Sequence, residues 1–305
     1  MRSAEVLPGL LDTPKSVASK FLYDSRGSRL FDEICGLEDY YPARVESGIL
    51  SRYAEEIGGR LGRDVRLIEP GAGTGWKTEI LLDHLEAPAE WVPIDVSRAA
   101  LDQAARRIAG RFPFLPIRPV WGDFARSMAL PRGRGRRGVV FFPGSTLGNF
   151  HPWEAVDLLR SFARAAGPGG AALVGVDLKK EPEIIERAYN DRDGVTAEFN
   201  LNLLRRLNRE LGADFQPRAF RHRAFYDETR GRIEMHLVAG SPQRVRLDGH
   251  LIAFERGESV RTEVAYKYEP EEFARLCEAA GLEIERRWSD DRDWFGLFLC
   301  VPRGP

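Results

Sequence analysis

The feature that most constrains the fold is a regular alternation of short apolar segments with longer helical ones between Val65 and Leu178. Strands are predicted at VRLIEPG, WVPIDVS, IRPVWGDF, RGVVFFPGST and AALVGVDL, and helices at WKTEILLDHLEA, RAALDQAARRIAGRFP and AVDLLRSFARAAG. Strands that alternate with helices of this length indicate βαβ units, in which helices cover both faces of a parallel sheet. This part of the chain therefore predicts an α/β fold with a doubly wound sheet.

The alternation stops after Leu178, where a different architecture is predicted. The segment from Lys179 to about Leu211 is polar and helical, and AFRHRAFYDETRGRIEMHLVAG and the residues up to Tyr268 alternate apolar with polar side chains, as antiparallel strands do. A helix at EPEEFARLCEAAGL and a hairpin at EIERRWSDDRDWFGLFLCV would complete the edge of the parallel sheet. The first 45 residues predict short helices that the triplet YYP ends, with a further helix from about Ser47.

The composition favours a small-molecule partner. Among 305 residues, 45 basic and 46 acidic side chains leave a net charge of −1, so bulk electrostatics suggests neither nucleic acid nor an anionic membrane. Cys35, Cys277 and Cys300 are too scattered for a disulfide framework or a zinc site, and no metal is expected. Neither an apolar run of about 18 residues nor a signal-peptide core is found, which predicts a cytoplasmic protein. Nothing demands an oligomer, so a monomer is expected.

The stretch EPGAGTGWKTEILLDHL places Gly71, Gly73 and Gly75 between the first strand and the first helix of the parallel sheet. A doubly wound sheet binds its ligand at this position, and glycines let the backbone approach a ligand that a Cβ would repel. The spacing differs from the dinucleotide fingerprint, and the Lys of a P-loop is absent from its required place. A ligand loop is predicted, with Lys77 on the following helix as a further cofactor-binding residue, while a purely structural turn is the alternative.

Acidic residues at the ends of the next strands make an adenosine site the better interpretation. Asp95 in PIDVS lies where a carboxylate can accept both ribose hydroxyls, and Asp123 in WGDF can accept from the adenine amine while Phe124 lies against the ring. S-adenosylmethionine (SAM) fits this set better than a nicotinamide dinucleotide does. The alternatives are structural, since Asp95 could cap the helix before Arg98 and Asp123 could cap a short turn.

Longer strings carry a more specific signal. They are FLYDSRGSRLFDEIC, the YYP triplet, GSTLGNF, AYNDRDGVTAEFNLNLLRRLNRELGADF and RTEVAYKY. In this order they closely resemble the histidine-specific, SAM-dependent methyltransferases, from about residue 15 to the C-terminus. The resemblance implies a Rossmann-type methyltransferase domain formed by residues 45–178 and 268–305, and a substrate-binding domain formed by residues 1–44 and 179–267. It also implies transfer of up to three methyl groups to the α-amino group of histidine, as in ergothioneine biosynthesis.

The resemblance also implies roles for individual residues. Asn149 of GSTLGN and Tyr189 of AYND match positions that hold the amino acid's carboxylate, and Tyr40 matches an aromatic residue near the amine. Because methyl transfer requires positioning more than acid–base help, these three are the predicted catalytic residues. Tyr23 of FLYD matches a residue that borders the cofactor. Without the resemblance, Asn149 could be a turn residue and Tyr189 a helix-surface aromatic.

The predicted pocket for the side chain of the substrate contains one departure from the family. Glu263 of RTEV matches the acid that binds the imidazole, and Met235 of RIEM matches an apolar wall, although Glu263 alone would read as a solvated strand residue. Two residues further on, Ala265 stands where the family pattern has a serine that also contacts the imidazole. Another aromatic or modified amino acid is therefore an alternative substrate. The alternative outside enzymes is a protein that binds SAM without catalysing a reaction.

Overall fold

The computed structural model describes residues 1–126, 128, 130–133, 135 and 137–304. Contacts between residues divide the chain into two compact units. The first unit comprises Met1–Tyr41 and Lys180–Ala265, and the second comprises Pro42–Lys179 and Tyr266–Pro305. These boundaries lie one to three residues from the expected ones, and the functions assigned to the two domains remain predictions.

The helices and strands follow one another along the chain with short connections. The α-helices are α1 (Leu7–Leu11), α2 (Ser25–Cys35), α3 (Tyr41–Leu61), α4 (Trp76–Leu82), α5 (Arg98–Arg111), α6 (Pro152–Ala166), α7 (Pro182–Tyr189), α8 (Val195–Leu211) and α9 (Pro270–Ala279). The strands are β1 (Lys15–Ser16), β2 (Val65–Pro70), β3 (Glu90–Asp95), β4 (Val120–Trp121), β5 (Arg137–Phe142), β6 (Ala171–Asp177), β7 (Phe220–Asp227), β8 (Arg232–Ala239), β9 (Gln243–Leu247), β10 (His250–Phe254), β11 (Ser259–Tyr266), β12 (Leu282–Ser289) and β13 (Phe295–Pro302). Short 3-10 helices lie at Ser3–Glu5, Ser19–Leu22, Thr146–Asn149 and Pro217–Ala219.

The second unit contains the predicted doubly wound sheet, in the order β12-β13-β6-β5-β2-β3-β4. Strands β2 to β6 pair in parallel, and the β12–β13 hairpin joins the edge at β6 in antiparallel orientation. The chain leaves β2 towards β3 and β4, and then returns to β5 on the other side of β2. This reversal between β2 and β5 is the topological switch point, where open α/β sheets bind their ligands.

The core of the second unit explains why its strands read as continuous apolar runs. All side chains of β3 and β6 are buried, as expected for strands that helices cover on both faces. Trp91 and Phe141 are fully buried in the cluster that these strands share with α3, α4 and α5. Strand β4 is shorter than the predicted segment IRPVWGDF, because Pro119 precedes it and cannot donate to a ladder.

The expectation that YYP ends a helix was wrong. Helix α2 already ends at Cys35, and α3 begins at Tyr41 rather than near Ser47. Pro42 occupies the first turn of α3, where its missing N–H would have had no partner within the helix. The proline therefore begins a helix here instead of ending one.

The first unit contains a mixed sheet in the order β1-β11-β8-β7, with β7 and β8 forming an antiparallel hairpin. Strand β1 pairs with β11 in parallel, and β9 and β10 form a separate hairpin. Helix α8 packs against β7, β8 and α2, while α7 packs against β7 and β8. Strand β7 is the edge of the sheet on the side where α7 lies.

Candidate functional site

The glycine loop, defined as Gly71–Gly75, follows β2 at the switch point. Gly71, Gly73 and Gly75 have φ values of 70°, 53° and 72°, in the left-handed region that favours glycine. A Cβ placed on Gly71 would lie 3.5 Å from Cε1 of Phe124, so the Phe124 ring covers this side of the loop. The structure thus brings the glycine loop and Phe124 together, as the adenosine interpretation requires.

Asp95, at the end of β3, holds the glycine loop through its carboxylate. Its Oδ2 accepts a hydrogen bond of 3.0 Å from the Gly73 N–H, and its Oδ1 accepts one of 2.7 Å from the Ser97 N–H. Burial raises the pKa of Asp95, and these backbone hydrogen bonds oppose the rise. The helix-cap alternative does not describe its role, because Ser97 accepts the bond from Ala100 at the start of α5. Each carboxylate oxygen keeps acceptor capacity for a ribose hydroxyl.

Asp123 and Phe124 follow β4 in a short turn. The Asp123 carboxylate accepts a hydrogen bond of 3.1 Å from the Ala125 N–H, as the alternative of a turn cap predicts. The Phe124 ring packs edge-on against Phe142 and Phe150, with centroids 5.6 and 6.1 Å away. The turn therefore has a structural role of its own, and the binding of adenine by Asp123 remains a prediction.

Glu69 is a buried acid at the base of the glycine loop. Its Oε2 accepts hydrogen bonds from the hydroxyl of Thr78 on α4 and, at 2.8 Å, from the indole N–H of Trp91 on β3. Burial raises the pKa of Glu69 to about 8, although both hydrogen bonds favour the charged form. Glu69 thus connects α4 and β3 on the two sides of the loop.

Lys77 makes an ion pair with Glu46 of α3, a contact that sequence reasoning missed. Glu46 is fully buried, and both of its oxygens accept the Gly144 N–H at 2.8 Å. A Cβ on Gly175 would lie 2.1 Å from the Glu46 carboxylate, so only glycine leaves room for it. The predicted contact of Lys77 with the cofactor remains a prediction, since the structure places its ammonium on Glu46.

Asn149 lies at the end of the turn that follows β5, on the other side of the switch point from the glycine loop. Ser145 has a left-handed φ of 54°, and its hydroxyl accepts a hydrogen bond of 3.0 Å from the Asp177 N–H. A Cβ on Gly148 would lie 2.6 Å from the carbonyl oxygen of Tyr266. These contacts fix the string GSTLGN and hold Asn149, half-buried, at the carboxyl edge of the sheet.

The first unit contains a cavity, open on one side, with about 260 Å³ of space not filled by atoms, part of which is open to solvent. Its walls are mostly aromatic and aliphatic, and the residues that line it are Phe31, Ile34, Tyr40, Ala188, Tyr189, Thr196, Phe199, Met235 and Glu263. The structure therefore brings together Tyr40, Tyr189, Met235 and Glu263, which the sequence assigned to the substrate. Asn149, assigned to the same substrate, belongs to the second unit.

Aromatic rings form one wall of the cavity. Tyr40 packs edge-on against Tyr189 and Phe31, with centroids 6.0 and 6.2 Å away. Burial, reinforced by the neighbouring Tyr189, raises the pKa of Tyr40 well above its ordinary value, so its phenol is neutral. Tyr23, assigned to the cofactor, packs against Phe31 and Phe199 at 5.5 and 5.4 Å within the same aromatic cluster.

Tyr189 is positioned by the residue that follows it. The side chain of Asn190 donates to the carbonyl of Ala224 and accepts from its N–H, both at 3.1 Å, so the end of α7 is bound to the edge of β7. Tyr189 is 7% exposed, and the alternative of a helix-surface aromatic is wrong. The string AYND thus combines a cavity residue with its anchor.

Strand β11 carries the charged group of the cavity. Glu263 is 9% exposed, so the alternative of a solvated strand acid is wrong. Ala265 is also buried and lies on the same face of the strand, since side chains two residues apart point to the same side. Met235 on the neighbouring β8 is fixed by a hydrogen bond of 3.1 Å from the Thr262 hydroxyl to its carbonyl.

Sequence reasoning missed Phe31, Ile34, Ala188, Thr196 and Phe199 as cavity residues. Phe31 and Ile34 lie on α2, and Thr196 and Phe199 lie on α8; in each pair the spacing of three residues places both side chains on one helix face. This spacing could have indicated that the two helices present apolar faces to a common space. It could not have distinguished a cavity from a filled core.

The two arrangements suit different ligands. The glycine loop with Asp95 and Phe124 offers backbone, carboxylate and ring contacts suited to a nucleoside. The cavity offers apolar walls, phenol hydroxyls and the Glu263 carboxylate, which suit an aromatic ring that carries an N–H donor. Among the described residues, no group of His, Cys, Asp and Glu side chains is suited to hold a metal ion. In the same part of the chain, no helix combines the length and apolar character that crossing a membrane requires.

Comparison with known proteins identifies a family of methyltransferases. A family model described as "Histidine-specific methyltransferase, SAM-dependent" matches residues 2–302. The chain is 42% identical over 304 residues to the histidine N-alpha-methyltransferase of Mycobacterium tuberculosis, and the match covers 97% of this chain and 94% of that protein. It is 28% identical to ergothioneine biosynthesis protein 1 of Neurospora crassa, over 95% of this chain and 33% of that longer protein.

Solved structures confirm the α/β methyltransferase fold. A SAM-dependent methyltransferase from Clostridium acetobutylicum superposes with a TM-score of 0.53 at 12% sequence identity. The superposition covers 90% of this chain and 99% of that one. At this level of identity the likeness concerns the fold alone.

Proposed function

Because the chain belongs to the family of histidine-specific, SAM-dependent methyltransferases, we propose that it methylates the α-amino group of L-histidine. The observation that carries the proposal is the cavity in which Glu263 lies among aromatic and apolar side chains. A relative that shares 42% of its residues and bears the name histidine N-alpha-methyltransferase supports the same substrate.

In this proposal the cavity residues recognise the imidazole and the reacting nitrogen. The Glu263 carboxylate can accept an imidazole N–H, and Met235 provides an apolar wall beside it. Tyr189 and Asn149 would donate to the substrate carboxylate. The face of Tyr40 would stabilise the methylated ammonium by about 0.5–2 kcal/mol.

The glycine loop and its neighbours would hold SAM. Gly71 and Gly73 allow close approach of the backbone, Asp95 keeps acceptor capacity for the ribose, and the Phe124 ring can lie against the adenine. Asp123, Lys77 and Tyr23 are the further residues proposed to contact it. When bound, SAM supplies a methyl group on a positively charged sulfur, so a neutral amine is the nucleophile that the site must present.

The chain contributes positioning rather than proton transfer. The substrate amine must lie about 3–3.5 Å from the methyl carbon in line with the bond that breaks, with water excluded. A free α-amine has a pKa near 8, and a neighbouring positive charge favours its neutral form. A substrate held at its carboxylate and at its imidazole keeps its amine in one orientation through successive transfers. We propose up to three transfers, in which the methylated ammonium loses a proton to solvent before each further transfer, and which give the trimethyl betaine of an ergothioneine-type pathway.

A second candidate substrate is favoured by one residue. Ala265, buried on the same strand face as Glu263, offers no hydroxyl for the second imidazole nitrogen. Loss of one such neutral hydrogen bond costs about 0.5–1.5 kcal/mol, which histidine can tolerate. An indole or a ring-substituted histidine needs only one acceptor, so another aromatic or modified amino acid is the alternative substrate.

A mass-spectrometric assay tests both substrates. Purified protein is incubated with SAM and, separately, each of the twenty amino acids, Nα-methylated histidines and ring-modified histidines. A product heavier than histidine by three methylene units supports the proposal in full. Product from another amino acid, with none from histidine, would transfer the proposal to that substrate, and no product from any of them would contradict it.

A further inference from the structure

The half-buried side chain of His222 lies between three elements that line the substrate cavity. His222 is on β7, and its Nε2 lies 2.8 Å from the carbonyl oxygen of Tyr189 at the end of α7. Its Nδ1 lies 3.0 Å from the Nδ2 of Asn200 on α8, and the same Nδ2 lies 3.2 Å from the carbonyl oxygen of His236 on β8. The contacts form a chain that runs from α7 to β8.

The donors and acceptors in this chain are determined by its ends. The carbonyls of Tyr189 and His236 can only accept, so Asn200 directs its NH₂ group to both His236 and His222. The Nδ1 of His222 is then the acceptor, and its Nε2 carries the hydrogen that is donated to Tyr189. Burial lowers the pKa of His222, which keeps the ring in this neutral form.

Each contact involves a cavity residue or the residue next to one. Tyr189 lines the cavity itself, Asn200 follows Phe199, and His236 follows Met235. The Tyr189 carbonyl is also at the last turn of α7, where carbonyls lack partners within the helix. We propose that His222 is a positioning residue, which fixes the end of α7 and with it the Tyr189 phenol in the cavity.

The inference rests on the proposed function, because it assigns Tyr189 to the substrate. Leucine at position 222 removes both the donor and the acceptor, and with them the hydrogen bond from His222 to the Tyr189 carbonyl. Glutamine supplies an N–H donor and a carbonyl acceptor on one side chain, so it can restore both contacts. His250, exposed on the β9–β10 hairpin, provides a matched control for a change from histidine to leucine.

The test compares His222→Leu, His222→Gln and His250→Leu with the unchanged protein. We expect His222→Leu to raise the KM for histidine about tenfold, equal to about 1.4 kcal/mol, with the KM for SAM changed by less than about twofold. His222→Gln and His250→Leu should stay within about twofold for both substrates. Should His222→Leu fail to fold, Asn200→Leu removes the donor that holds the Nδ1 of His222 and should raise the same KM.

A second readout does not depend on turnover. Amide hydrogen exchange of the segment 189–194 should be faster in His222→Leu and unchanged in His222→Gln, since an end of α7 that has lost its partner opens more often. An unchanged KM for histidine in His222→Leu would overturn the inference, as would an equal rise of both KM values or a His222→Gln variant as impaired as His222→Leu. If the unchanged protein does not methylate histidine, the proposed function fails, and equal exchange rates in all variants would separately overturn the role of His222.

Discussion

The ion pair between Glu46 and Lys77 should show an asymmetric response when its two residues are replaced one at a time. Glu46 is fully buried, whereas the Lys77 side chain keeps 12% of its exposure. Lys77→Met leaves a buried carboxylate with the Gly144 N–H, and an uncompensated buried charge costs about 3–5 kcal/mol. Glu46→Gln leaves an ammonium that can turn towards water, so its cost should be smaller, about 1–3 kcal/mol.

The double variant provides the decisive comparison. Glu46→Gln with Lys77→Met leaves no charge in the site, and the glutamine carbonyl can still accept from Gly144. It should therefore be more stable than Lys77→Met alone, with a coupling free energy of at least about 1–2 kcal/mol between the two positions. Urea unfolding, analysed with one common m-value, measures the free energies of unfolding of the three variants and of the unchanged protein. Asp291→Asn, which removes the exposed pair with Arg52, is the control and should leave the free energy of unfolding close to that of the unchanged protein.

Additive free energies would refute the reasoning, because they would show that the two charges do not compensate each other. A larger cost for Glu46→Gln than for Lys77→Met would refute the argument from burial. Calorimetry with SAM on the same proteins addresses the predicted cofactor contact. If the double variant regains stability over Lys77→Met but not SAM affinity, Lys77 binds the cofactor directly.

Four further predictions address the candidate sites. Asp95→Ala should lower SAM affinity by about 100-fold or more, through the loss of hydrogen bonds to a charged acceptor, and unchanged affinity by calorimetry would remove Asp95 from the ribose site. Glu263→Gln should raise the KM for histidine about tenfold or more with little effect on SAM binding, whereas equal losses in both would indicate a folding role. Ala265→Ser should lower the KM for histidine up to about tenfold, and no gain would show that a serine there makes no useful contact. Burial raises the pKa of Glu69 from 4.5 to about 8, so its contribution to stability is full below pH 4.5 and is lost as the pH rises to 8. The urea concentration at the midpoint of unfolding should therefore differ less between pH 5 and pH 9 in Glu69→Gln than in the unchanged protein. Equal differences in the two proteins would contradict the raised pKa.

Local patterns in the sequence were sufficient to predict the parallel sheet. Strands such as β3 and β6 are short apolar runs bounded by turn residues, and the helices between them have their own period, so neighbouring residues carry the signal. The glycine loop was equally accessible, because three positive φ values within five residues require glycine at those places. The error at YYP has the same origin, since a proline can end one helix or begin the next and only the tertiary structure decides.

The cavity could be predicted only through resemblance to a family. Tyr40, Tyr189, Met235 and Glu263 come from different elements, and no period connects them. Glu263 illustrates the difficulty: an acid in a strand is ordinarily at the solvent face, but from Thr262 onwards both faces of β11 are buried. The neighbours that enclose it come from distant parts of the chain.

The polar residues that hold the two sites, Glu46 and His222, could not be predicted from the sequence for the same physical reason. Glu46 contacts Lys77 and Gly144 at sequence separations of 31 and 98 residues, and His222 contacts Tyr189 at a separation of 33. Each is a polar side chain that would be costly to bury alone and becomes favourable only when its partners arrive. Buried polar groups of this kind are where local rules fail, and such failures are expected to concentrate at functional sites. In this chain each of them holds an element that carries a candidate binding residue.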